Sequence, residues 1–221
     1  MARTQPQEPS AESRETRRRL VLLHGSGGSG PPTPAMRQQL ISNAQLGLVI
    51  FIAFETMIFA GLITAYWVLR SGSFAWPPPN LPRLPLAVTA VNTVMLGFSA
   101  FTMSRAVKAV RVGSQPGLRS ALVATVVLGA GFLAIQGSEW TRLIHQGLTL
   151  SSGSYGGTFY VLIGLHALHV VGAVVWLLTV LALAYRGRYT TKRYAGVALC
   201  ATYWYYVCAL WLVLFGVVYV Y

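Results

Sequence analysis

Between Tyr155 and Tyr185 the chain runs YGGTFYVLIGLHALHVVGAVVWLLTVLALAY, 31 residues without a formally charged side chain. At about 1.5 Å of rise per residue, a helix of that length exceeds the roughly 30 Å of hydrocarbon in a bilayer. Inside hydrocarbon every backbone N–H and C=O needs a partner within the segment, so the stretch reads as a membrane-spanning helix. Near its middle stand His166 and His169. Their i, i+3 spacing puts both on one helix face. A polar group left unpaired there costs roughly 2 to 7 kcal/mol, so the rest of the chain is expected to supply partners.

Composition extends this reading to the whole chain. Of 221 residues, 54% are hydrophobic and 10% charged, against about a quarter charged in soluble domains. The formal net charge of +12 would suggest nucleic acid in a soluble protein. Here the basic residues gather at the ends of apolar runs, which is the pattern of membrane topology, and nucleic-acid binding is excluded. Cys200 and Cys208 fall in one apolar segment. Eight residues of helix separate them by about 12 Å, beyond the roughly 7 Å limit for a disulfide, so both are expected as buried thiols.

In chain order, residues 1–38 are rich in Pro, Ser, Gly, Glu and Arg and read as a disordered basic tail. Gly25, Gly27 and Gly30 satisfy G-x-G-x-x-G, but Pro31, Pro32 and Pro34 follow where a phosphate-binding helix would begin, so the match is dismissed. Residues 39–221 form a single all-α transmembrane domain. Its five spans are expected at about 44–69, 85–104, 119–141, 155–185 and 194–220. The loop after the first carries Trp76-Pro77-Pro78-Pro79, a stiff surface turn. Six Lys and Arg residues lie in the tail, four between 105 and 119 and four between 186 and 193, against Arg70, Arg83 and Arg142 on the other side. The positive-inside rule then puts the N-terminus in the cytoplasm and the C-terminus outside.

Four polar side chains within the spans are the candidate functional residues: Glu55, Glu139, His166 and His169. A carboxyl at the depth of Glu55 costs about 2.5 to 3.5 kcal/mol on insertion scales, and such residues face a bundle interior or a water-filled cavity. The apolar part of the third span is short, so its helix must continue through Gln136 and Glu139, which share one inward face. Imidazole and carboxylate together suit a metal, yet both intramembrane histidines sit on one helix. The simpler expectation is that they tie helices together through Glu, Tyr or backbone partners. Asn92, Thr93 and Ser99 are expected to bond across helices, and Gly164, Ala167, Gly172 and Ala173 to admit a close neighbour. With no aspartate anywhere in the chain, no nucleophilic triad or catalytic carboxylate pair of usual form is found, and no metal or cofactor is assigned to the chain itself.

Several of these segments together resemble subunit III of the haem-copper oxidases. FIAFETMIFAGLITAYWVLR resembles the family span with a lone glutamate in a Phe-Ile-x-x-Glu-x-Met-x-Phe setting. Trp76-Pro77-Pro78, Leu84-Pro85-Leu86 and Asn92-Thr93 are similar to the loop and helix that follow. Gln136-Gly137-Ser138-Glu139-Trp140, Tyr155-Gly156-Gly157-Thr158-Phe159 and Gly164-Leu165-His166-Ala167-Leu168-His169-Val170 continue the likeness in order. The last span departs from it. Tyr205 and Cys208 stand where the family has His and Asp, and Tyr194 and Ala198 where it has His and Glu, so the usual polar side chains of that helix are missing.

The resemblance implies a short, five-helix bacterial subunit of the inner membrane with no redox centre of its own. It would pack against the catalytic subunit I, which would carry haem and copper, and bind phospholipid in a cleft that Glu55, His166 and His169 line or brace. Two other readings stand beside it. One is an accessory subunit of a nitric-oxide reductase. The other is a small homo-oligomeric channel or transporter with Glu55 and Glu139 as ion ligands, although neither broken helices nor an inverted repeat is seen in the sequence.

Overall fold

The computed structural model describes residues 42–79, 81–82 and 84–220. The tail reading and the Gly25-Gly27-Gly30 dismissal lie outside the described residues. Five long helices make up the fold: α1 (Asn43–Ser71), α2 (Leu86–Arg111), α3 (Gln115–His145), α4 (Gly153–Tyr185) and α5 (Ala195–Phe215). α5 continues as a π-helical turn, Gly216–Val220. With that turn, all five are long and apolar enough to cross a membrane, and no named strand occurs among the described residues. The protein is therefore an all-α multi-pass membrane protein.

The helices outrun the apolar segments that nucleate them. α2 continues past Met103 through Arg105 and Lys108 to Arg111, which shrinks the expected basic loop from 105–119 to Val112–Ser114. Lys, Arg and Ala propagate a helix well, and long cationic stems can lie along apolar surface while their heads reach water. The reversal is set by local chemistry. Gly113 takes a φ of 78°, a left-handed conformation that glycine adopts without steric cost, and Ser114 Oγ then accepts the Gly117 N–H to cap α3. Gly187 does the same after α4, at φ 66°.

These two turns lie at one end of the bundle, joined by side chains. Gln115 Nε2 donates to the Tyr189 carbonyl at 2.8 Å. Arg119 donates to the Ala184 and Tyr185 carbonyls at 3.2 and 3.4 Å, closing the orphan C=O groups at the end of α4.

α2 and α3 form the most intimate pair, and α5 packs against α2 and α4. Asn92 Nδ2 donates to the Phe132 carbonyl at 3.2 Å, while Thr93 and Ser99 accept from the indoles of Trp211 and Trp204 at 2.9 and 3.2 Å. Asn92, Thr93 and Ser99 thus all bond across helices, as their type predicts.

Of the small α4 residues expected to admit a neighbour, Ala173 is buried, but the two glycines mark no close approach. A Cβ on Gly172 would meet nothing within 4 Å, and one on Gly164 would meet Trp140 at an ordinary 3.7 Å. The tight point is Gly129 on α3, where a Cβ would stand 2.6 Å from the Trp204 ring. A helix interface in lipid is set by which residue faces a large partner, and small residues on a lipid-facing side admit nothing.

α1 packs chiefly against α4 and α5 and buries only Glu55, Phe59 and Tyr66. The loop after it folds back: Trp76 stands edge-on to both Tyr66 (5.5 Å) and Tyr155 (5.1 Å). Tyr66 and Tyr155 are therefore buried in the protein. Cys200 and Cys208 are free and buried.

Candidate functional site

The site forms where α1, α4 and α5 meet. α1 presents Glu55 and, one helical turn on, Phe59 on the same stripe. α4 presents His166 and His169, and α5 presents Tyr203 and Trp211.

Glu55 is 2% exposed, and its Oε1 collects the polar contacts. Tyr203 donates its phenol O–H to that oxygen at 3.0 Å. His169 Nε2 lies 3.2 Å from the same atom. The other imidazole nitrogen, Nδ1, lies 2.6 Å from the Leu165 carbonyl, one turn back on α4. A carbonyl can only accept, so Nδ1 carries a hydrogen, and this assigns the role of Nε2. If the imidazole is neutral, Nε2 accepts and the Glu55 carboxyl must donate. If the imidazole is protonated, Nε2 donates to a carboxylate. Either way the pair holds one shared proton and no net charge, which is the state a low-dielectric interior favours.

Access to the pair is uneven. The His169 side chain is 19% exposed while Glu55 is sealed. Phe59 closes one flank, edge-on to His169 at 5.5 Å. On the neighbouring turn Thr56 donates to the Tyr206 phenol oxygen at 3.2 Å, a second link between α1 and α5.

His166 behaves differently from its expected role. It is 1% exposed, stacks on Trp211 at 5.2 Å and meets Phe59 edge-on at 6.4 Å. Neither ring nitrogen has a hydrogen-bond partner among the described residues. The i, i+3 spacing did bring both histidines to the same side of α4, but only His169 reaches a carboxyl and a backbone acceptor.

Glu139 belongs elsewhere. It is half-buried towards the end of α3, its Oε2 without a hydrogen-bond partner among the described residues. Its neighbour Gln136 donates to the Tyr219 phenol at 3.1 Å. No hydrogen bond or ion pair among the described residues joins Glu139 to Glu55 or to either histidine. Nor do three or more His, Cys, Asp or Glu side chains converge there as metal ligands.

The missing family polar residues of α5 are replaced by a different chemistry. Tyr205 faces outward, 37% exposed, and takes no part in the cluster. Polar linkage instead comes from aromatic donors and acceptors: Tyr203 to Glu55, Tyr206 to Thr56, Trp204 to Ser99 and Trp211 to Thr93. Of these, Tyr203 is the site residue that sequence reasoning missed. Its signal was a phenol deep in an apolar helix, which requires an acceptor once buried, in a chain with two carboxyl groups in its spans.

The family model of cytochrome c oxidase subunit III matches residues 29–221. A probable cytochrome c oxidase subunit 3 of Nocardia farcinica is 34% identical over 195 residues, covering 86% of this chain and 96% of that one. Cytochrome c oxidase subunit 3 of Synechocystis is 37% identical over 174 residues, 78% of this chain and 73% of the relative. The African elephant protein of that name is 31% identical over 197 residues, 86% and 72% of the two chains.

Proposed function

The chain belongs to the cytochrome c oxidase subunit III family, and we infer that it serves as the non-catalytic third subunit of a respiratory terminal oxidase. The relatives described above are all oxidase subunits and lend nothing to the nitric-oxide reductase or ion-channel readings. The catalytic partner is subunit I, which carries the haem and copper, and phospholipid fills part of the contact surface. The membrane is the bacterial cytoplasmic membrane, with the N-terminal tail and the basic α2–α3 and α4–α5 turns on the cytoplasmic side.

Within the chain, the functional group is the Glu55–His169 pair, with Tyr203 as its anchor. The observation that carries this is the single shared Oε1, held at 3.0 Å by Tyr203 and 3.2 Å by His169 in a sealed apolar setting. Three helices thereby support one exchangeable proton at a site whose more exposed member is His169. His166 braces α4 against α5 through Trp211, and Glu139 takes a structural part at the far end of α3.

The test is Glu55→Gln in the intact complex, purified through a tag on this chain in a gentle detergent. Glutamine keeps the acceptor for Tyr203 and supplies an N–H to His169 Nε2, so assembly and haem content are expected to match wild type. Sustained oxygen consumption is expected to fall, with early turnover unchanged. Wild-type turnover throughout would reduce the pair to a helix tie, and a colourless chain eluting alone would overturn its place in an oxidase.

A further inference from the structure

A cavity of about 450 Å³ opens between α2 and α3 at their basic end, remote in sequence from the Glu55 cluster. That volume falls within the roughly 300 to 1,000 Å³ of ordinary ligand sites. α2 lines it with Thr102, Arg105 and Lys108, three residues at i, i+3, i+6 on one face, and α3 with Ser114, Ala121 and Ala124 among others. From Ser114 to Ala124 the groove follows α3 for about 15 Å. It is rimmed by cations and a hydroxyl at the helix ends and walled by alanine methyls further in.

No described residue neutralises the cations at this end. Of the described residues only Glu55 and Glu139 are acidic, and neither lies near the α2–α3 turn in the chain. Neighbouring arginines have other partners: Arg111 stands over the Tyr194 ring at 5.9 Å, and Arg119 closes the end of α4. Arg105 and Lys108 have no ion pair or hydrogen bond among the described residues, and both are exposed on the cavity rim. Two unpaired cations at the mouth of an apolar groove complement a phosphate joined to a hydrocarbon chain.

We infer that the α2–α3 groove is a binding site for an anionic phospholipid, with Arg105 and Lys108 on its phosphate and an acyl chain along Ala121 and Ala124. This inference rests on the chain crossing a membrane and is independent of its place in an oxidase, so either can fail alone.

The experiment is native mass spectrometry of the delipidated full-length chain, or of the complex it purifies with, titrated with phosphatidylglycerol, phosphatidylcholine or inorganic phosphate. Wild type is expected to take phosphatidylglycerol at least tenfold more tightly than phosphatidylcholine. Arg105→Gln with Lys108→Gln should abolish that preference, whereas Arg188→Gln with Lys192→Gln, cations of the other basic turn, should keep it. Ala124→Leu retains both charges but fills the groove, and should weaken phosphatidylglycerol while leaving any phosphate binding intact.

Equal loss in both double variants would mean diffuse surface charge and overturn the site. Inorganic phosphate binding as tightly as the lipid would overturn the lipid assignment in favour of a free anion. An unchanged preference in the Arg105, Lys108 variant would overturn both.

Discussion

α1 and α4 are close in length, 29 and 33 residues, and both are strongly apolar, yet α1 buries three residues and α4 twelve. In water such a difference would show as a difference in hydrophobicity. In a bilayer it does not, because lipid tails solvate an outward Met57 or Val68 as well as a protein core would. What distinguishes the helices is how each is held. α4 lies between α3 and α5 along a broad packed face, whereas α1 is attached at points: Glu55 to Tyr203 and His169, Thr56 to Tyr206, and Tyr66 to Trp76, which in turn meets Tyr155. The lesson is that the edge helix depends on polar contacts and the central helices on shape.

Variants can break that distinction. The largest effect is expected in the packed core: Trp204→Ala empties a fully buried ring from between α3 and α5, at a cost of about 3 to 5 kcal/mol. Thermal unfolding in detergent should show the whole bundle shifting as one transition. Loss confined to α1 would mean that the core is not the cooperative unit.

Gly129→Val tests the same contact from the other side, since its Cβ would collide with the Trp204 ring. Overpacking of this kind costs roughly 1 to 3 kcal/mol. If Gly172→Val proves as harmful as Gly129→Val, the assignment of the tight helix contact is wrong.

Glu55→Leu should act locally. It leaves the Tyr203 phenol and His169 Nε2 without their shared partner, a penalty of about 1 to 3 kcal/mol. Hydrogen exchange is expected to rise in α1 while α2 and α3 stay protected; uniform loosening of all five helices would contradict a point attachment. Tyr203→Phe removes one donor and is expected to cost about 0.6 kcal/mol, the typical worth of a hydrogen bond between membrane helices. Smallest of all, Tyr206→Phe loses a 3.2 Å contact to an exposed threonine that also bonds its own backbone, and should change α1 exchange barely measurably. An effect of Tyr206→Phe exceeding that of Tyr203→Phe would invert the ranking of the two α1–α5 links.

Much of the site could be read before folding was known. Glu55 and His169 stand out because a polar side chain at bilayer depth has few acceptable fates, and the two do meet. The pairing of His169 with its own Leu165 carbonyl and the bareness of His166 were not legible, because two histidines three residues apart differ only in what the neighbouring helices bring to them. Glu139 was a second acidic candidate, yet it lies towards the end of α3, where its neighbour Gln136 bonds Tyr219, and it joins neither Glu55 nor the histidines among the described residues. Tyr205 and Cys208 suggested that α5 had lost its polar links, whereas its indoles and phenols supply them from adjacent positions on the helix.

The amino-acid sequence by itself determined that there are five membrane-crossing helices, that their ends are basic on one side, and that the chain is a subunit III relative. Each of these follows from one-dimensional quantities: apolar length against bilayer thickness, charge placement along the chain, and ordered motifs. The tertiary structure decided which helix lies at the edge, which glycine faces a tryptophan, which histidine is paired, and where Arg105 and Lys108, unpaired among the described residues, open onto a groove. Those outcomes depend on helix rotation and neighbour choice. In lipid, which rewards apolar surface equally on every side, hydrophobic pattern carries almost no information about either.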